Sequence, residues 1–219
     1  MNNTIKIILV LLWKDFVIEA RRALELVTAL LFSLLIASFL GFSTGKFSPD
    51  TFTGLVIGST GIVLTQAFIA VFVAIMSFVR EADRGTLIGL KLASVTPITL
   101  YVSKLVFTLI LVEIFTVIAY GALIYFGESM LEPIRGSLII LLASGLYLSA
   151  VSAFASALSV HLEARLALIP TLILALGAPL MQSTVVLIVM QNVKLAGLLT
   201  ISGLLFAMIT AWLSEYVLE

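Results

Sequence analysis

Residues 77–104 read SFVREADRGTLIGLKLASVTPITLYVSK. Apolar sequence flanks this stretch, with 52–79 leading in and 98–126 leading out, each long enough to cross a bilayer as a helix. Between them fall Arg80, Glu81, Asp83, Arg84 and Lys91, with Gly85, Gly89 and Pro97 as breakers. A charged turn between two apolar runs makes a helical hairpin in a membrane. The rest of the chain can be placed relative to it.

The composition agrees. The chain has 219 residues, 62% hydrophobic and only 11% charged. Soluble domains are about 45–50% apolar and about 25% charged, so bilayer lipid has to cover the surplus. Lys and Arg balance Asp and Glu at a formal charge of zero, which offers no field for a nucleic-acid partner. The chain has no cysteine, so it forms no disulfide and no thiolate metal site.

Six stretches reach spanning length: about 26–42, 52–79, 98–126, 137–160, 166–190 and 195–213. Thr96 and Pro97 mark the start of the third, since threonine can cap and proline loses nothing at a first helical position. The breaks between spans are short and no fixed-period repeat is visible, so 1–219 reads as one all-α membrane domain. Lys and Arg cluster on one side: Lys6, Lys14, Arg21, Arg22, Arg80, Arg84, Lys91, Lys104 and Arg165 against Lys46, Arg135 and Lys194. The positive-inside rule then puts both termini in the cytoplasm of a multi-pass plasma (inner) membrane protein.

Ahead of the first span lies WKDFVIEARRALE. Trp13, Phe16, Val17, Ala20 and Leu24 share one helical face, with Lys14, Asp15, Glu19, Arg21 and Arg22 on the others. This predicts an amphipathic helix over 5–25, lying in the interface with its apolar side among lipid headgroups and its basic residues toward anionic lipid. A plain cytoplasmic stub is the alternative. No small-x-small cleavage site follows the apolar run at 5–12, so it is not read as a leader.

The interruption at 80–92 carries acids early, Lys91 late, and an apolar stripe of Leu87, Ile88, Leu90 and Leu92. It reads as a short amphipathic helix. Gly85 and Gly89 would weaken it by about 1 kcal/mol each relative to alanine, so they suggest a bend or a close approach by another surface. An ordinary loop helix resting on lipid is the competing reading.

The run FVREADRGTLIGLKLASVTPITLYVSK resembles the cytoplasmic loop of ABC-2 type exporter permeases, and most closely the haem exporter B subunit of cytochrome c maturation, the CcmB family. The matching positions are Glu81, Asp83, Arg84, Gly85, Thr86, Leu87, Leu90, Pro97 and Lys104, together with Trp13, Asp15, Phe16, Glu19 and Arg21 near the start. The resemblance implies a permease without its own ATPase, and the sequence contains no G-x-x-x-x-G-K-[ST]. It implies a separate cytoplasmic ATP-binding subunit that docks on a coupling helix at about 80–92, through Glu81, Asp83, Arg84, Gly85, Leu87, Gly89 and Leu90, and on the N-terminal helix. It also implies a haem-handling membrane subunit as partner, a candidate homodimer, and haem as a candidate cargo of the complex. ATP enters only through the partner, and ATP hydrolysis is not this chain's work.

A few other residues bear on a cofactor or a path. His161 is the single histidine, and one histidine does not make a haem or metal site, so no stably bound cofactor, no metal and no catalytic residue is expected. Glu113 falls in the middle of the third span, where a charge costs about 2.5–3.5 kcal/mol. It is either part of a path or gate, or a hydrogen-bonded carboxyl between helices; Gln66 in the second span poses the same choice. SAVSAFASALS at 149–159 and Gly54-x-x-x-Gly58 read as close-packing surfaces, and Pro170 and Pro179 as kink positions in the fifth span. An ABC-2 permease for a drug, lipid or polysaccharide, or a secondary carrier without an ATPase, remain the alternative functions.

Overall fold

The computed structural model describes residues 3–47, 50–83, 85, 86, 89, 95–127, 137–160, 162 and 165–218. Among them there is no strand. The helices are α1 (Asn3–Ala20), α2 (Ala23–Phe47), α3 (Thr51–Ala74), α4 (Arg80–Asp83), α5 (Pro97–Gly127), α6 (Leu138–Ser159), α7 (Arg165–Val189) and α8 (Ala196–Leu218). A π-helical segment, Ile75–Val79, joins α3 to α4, and a 3-10 turn, Val193–Leu195, leads into α8.

Six stretches are long and apolar enough to cross a membrane: Leu24–Thr44, Phe52–Asp83, Pro97–Gly127, Leu138–Ser159, Leu166–Val189 and Val193–Leu218. They match the six expected spans to within a few residues at most ends, the largest difference being the last span, which runs on to Leu218. The third begins at Pro97 as expected, with the Thr99 N–H donating to Thr96 Oγ1 at 3.4 Å.

α3, α5 and α6 form the interior, and α2, α7 and α8 lie outside them. α2 packs on α5 and α3, α6 packs on α5, α7 and α8, and α3 also meets α7. In lipid the hydrophobic effect does not drive helices together, so close backbone approach and interhelical hydrogen bonds have to. Both are present. A Cβ on Gly41 of α2 would lie 2.6 Å from the Leu123 carbonyl oxygen of α5, so these backbones touch only because position 41 is glycine. The small run in α6 faces inward, with Ser149, Ala150, Ser152, Ala153, Ala155, Ser156 and Ala157 all buried. Its hydroxyls bond to the neighbouring helix: Ser152 donates to the Ala70 carbonyl at 2.8 Å and Ser156 to that of Ala74 at 2.7 Å. Gly54 and Gly58 are buried too, and Pro170 and Pro179 lie inside α7.

Two expected elements differ in detail. The N-terminal helix is not continuous over 5–25: it ends at Ala20, Arg21 and Arg22 form a turn, and Leu24 already belongs to α2. The segment 80–92 is not one helix either. Gly85 has φ +68°, a left-handed conformation that glycine adopts at no steric cost, and it separates Arg80–Asp83 from the helical Thr86 and Gly89. The bend expected of these glycines is therefore at Gly85, whereas a Cβ on Gly89 would meet nothing within 4 Å. Arg84, Leu87, Ile88 and residues 90–94 lie outside the described residues, as do His161 and Glu163.

Candidate functional site: a buried ion cluster joining α1, α4 and α5

α1 packs mainly along the first turns of α5. Phe16 meets Phe107 edge-on, with ring centroids 5.2 Å apart. Leu11 joins a second small core with Phe78, Leu100 and Tyr101. Leu12 packs on the main core and Ile18 lines the cavity described below, while Leu9, Val10 and Trp13 are exposed, Trp13 by 72%. α1 also turns charge inward. Asp15 and Glu19, four residues apart and so on one helical face, are 5% and 3% exposed. The sequence pattern places both on the polar faces of α1; burial is possible because cations from two other elements meet them.

Lys104, in the second turn of α5, is one of those cations. Its Nζ lies 2.9 Å from Asp15 Oδ2 and 2.9 Å from Glu81 Oε1. Lys14 Nζ lies 2.5 Å from the same Glu81 oxygen and 3.4 Å from Asp15 Oδ1. Arg80 bridges Glu19 of α1 and Glu25 of α2 through its two terminal nitrogens. Charged groups this poorly hydrated persist only when paired, and here each acid faces at least one base.

The cluster encloses a cavity of about 230 Å³, lined by Ile18, Met76, Ser77, Thr86, Gly89 and Phe107 as well as by the ions. Burial opposes the charge on Lys14, but Glu81 and Asp15 more than offset it and hold the ammonium above its ordinary pKa. Burial also raises Glu19 above the usual carboxylate value, and Arg80 only partly opposes it.

Of the residues singled out in the sequence, Asp15, Glu19 and Glu81 come together here, with Phe16 packed alongside. Trp13 and Arg21 are exposed and outside the cluster. Asp83 and Gly85 are exposed at its edge, and Gly89 lines the cavity. Arg84, Leu87 and Leu90 are outside the described residues. The sequence gives Lys14, Arg80 and Lys104 no part in a site, and the structure makes them the cations of the cluster. Lys104 carried a usable signal, since a lysine eight residues into a span needs an acid.

A second polar group lies mid-bundle. Gln66 of α3 donates to the Leu141 carbonyl at 2.9 Å and accepts from Ser144 Oγ at 2.8 Å, so both ends of its amide are engaged with α6. Glu113 comes in from α5 toward the same spot: a Cβ on Gly145 would be inside contact distance of Glu113 Oε1 and 2.9 Å from Gln66 Nε2. Glu113 Oε2 is buried with no hydrogen-bond partner among the described residues.

Six apolar helices with a hydrogen-bonded interior and a charged cluster at one end define a multi-pass membrane protein. Residues 6–216 match the family model described as CcmB protein, and the chain belongs to that family. Its members are membrane permease components of a haem-exporter ABC system in cytochrome c maturation. No curated protein and no solved structure shows a significant match to the chain.

Proposed function

We propose that this chain is the transmembrane half of an ATP-driven haem-handling transporter, moved by a separate cytoplasmic ATP-binding subunit that docks on the side where α1 meets α4. The ion cluster carries this reading. A single carboxylate oxygen of Glu81 is shared by Lys14 of α1 and Lys104 of α5, so a push on α4 acts on both at once. On this reading Asp83, Gly85 and Gly89, with Arg84, Leu87 and Leu90, belong to the docking surface. Trp13, Phe16 and Arg21 belong to the α1 side, where exposed Leu9, Val10 and Trp13 suit headgroup lipid.

Both termini are cytoplasmic in this scheme, as the Lys and Arg distribution favours, and the membrane is the plasma (inner) membrane. A haem-handling membrane subunit is the second partner, haem is the cargo of the complex, and two copies of the chain pair within it. Glu113 is the group proposed for a path or gate, because its second oxygen has no partner among the described residues. The engaged amide of Gln66 supports a structural role for that residue instead.

The test is co-purification of the tagged chain with the ATP-binding subunit from its own genome. Wild type should retain it, while Asp83→Lys and Gly85→Trp should lose it. Tryptophan at 85 would have space but a strained backbone, because φ there is positive. Retention by both variants would remove the 80–92 segment from the docking surface.

A further inference from the structure

An uninterrupted helix through α3 would bond the Phe78 N–H to the Ala74 carbonyl. Here Ser156 of α6 stands between them. Its hydroxyl accepts from the Phe78 N–H at 3.0 Å and donates to the Ala74 carbonyl at 2.7 Å. The helix departs from α-geometry at that point: Ile75–Val79 is π-helical, and Ser77 has φ −84° and ψ −111°, outside any helix. A side chain inserted into the backbone ladder is a recognised cause of a kink, and π segments commonly sit at functional positions.

We propose that Ser156 is a positioning residue: its inserted hydroxyl holds the bend after α3, and that bend aims α4 at the ion cluster. Because Ser77 lies outside helical geometry, α4 does not continue the line of α3, and its side chains leave it in directions that a straight α-helix would not give them. Arg80 and Glu81 follow directly. In the bent form Arg80 meets Glu19 and Glu25, and Glu81 meets Lys14 and Lys104. A straight helix through this point would redirect Arg80 and Glu81 away from these partners.

The surroundings are built to the bend. Phe78 is fully buried and stacks on Tyr101, with ring centroids 6.3 Å apart. Ser77 is buried and lines the cavity of the cluster. Ser156 has no exposure, and its one donor and one of its two acceptor lone pairs are spent on α3. Movement of α6 along α3 is thereby linked to the direction of α4, and this link serves transport if the 80–92 segment is the docking surface proposed above.

The chain has no native cysteine, so two introduced ones can be labelled cleanly. Thr86→Cys and Tyr216→Cys are both exposed positions, one beyond α4 and one on α8. Spin-label distances between them would be compared in lipid nanodiscs for otherwise wild-type chain, Ser156→Ala and Ser156→Thr. Ser156→Ala is expected to shift or broaden the distance distribution by several ångströms, and Ser156→Thr, which keeps the hydroxyl, to return it to the wild-type position. Identical distributions for wild type and Ser156→Ala would overturn the proposal, as would a Ser156→Thr distribution that matches alanine. Should threonine be too large to fold, hydrogen exchange across 74–83 in Ser156→Ala decides instead: unchanged protection overturns the proposal, and altered protection supports it. The measurement needs no ATP-binding subunit, so it can fail or succeed independently of the co-purification.

Discussion

Replacing Lys104 by methionine removes the ammonium that Asp15 and Glu81 share while keeping an unbranched side chain one atom shorter. The nitrogen lies 2.9 Å from each acid and its side chain is 3% exposed. At an effective dielectric of about 20, each contact corresponds to about 6 kcal/mol of attraction, before the cost of stripping water from the ions. That cost offsets much of the gain in the wild type, but the variant keeps both buried carboxylates and loses their best cation. Breaking a buried pair from one side typically costs about 3–5 kcal/mol. Lys14 still touches both acids, so the lower end, about 3 kcal/mol, is expected. Unfolding of the purified chain in detergent, followed by the fluorescence of Trp13 and Trp212, would measure it. The double variant Asp15→Asn/Lys104→Met should be less damaged than the sum of its parts by at least about 1 kcal/mol. A single-variant effect below about 0.5 kcal/mol, or an additive cycle, would show that the cluster is not the buried network described here.

Alanine at Gly145 would place a methyl group against Glu113 and Gln66. It should cost about 1–3 kcal/mol in the same unfolding assay, and Glu113→Ala in that background should recover part of the loss. The pH response follows from Glu19. Its folded pKa is raised above the ordinary 4.5 because burial outweighs Arg80. A raised folded value contributes stability that is full below the unfolded value and is lost as pH rises through the folded one. Glu19→Gln cannot ionise, so the melting temperature of wild type relative to this variant should fall as pH rises from about 4 to about 7. A difference that stays flat across that range would contradict the raised value.

The spans were legible because a bilayer demands about 20 apolar residues in a row, and run length is written directly in the sequence. Thr96 and Pro97 were legible for the same local reason, and so was the bend at Gly85. The ion cluster was not. Asp15 and Glu19 have the spacing of one helical face, but nothing near them tells whether that face meets water or Lys104, which is 89 positions from Asp15. The π segment was less legible still. IMSFV carries no breaker, and the group that interrupts its ladder, Ser156, lies 78 positions from Phe78. Both features depend on which helices become neighbours, and local periodicity does not contain that.

α1 is attached to the bundle in an unusual balance. Its large apolar side chains Leu9, Val10 and Trp13 face outward, and its inward surface mixes Leu11, Leu12, Phe16 and Ile18 with the carboxylates of Asp15 and Glu19. Buried ion pairs return little net stability because desolvation consumes most of their attraction, whereas apolar packing in the same place would return more. What ion pairs do supply is register: Asp15, Glu19, Lys14 and Glu81 satisfy one another in one arrangement, and a shift by a single helical residue would bury unpaired charge. The bundle is held differently, by close backbone approach between α2 and α5 at Gly41 and by serine hydroxyls between α6 and α3. An outer layer fixed in register but weakly bonded, on an interior that is tightly bonded, is the division expected of a part that must be moved as a unit by another protein without loosening the spans.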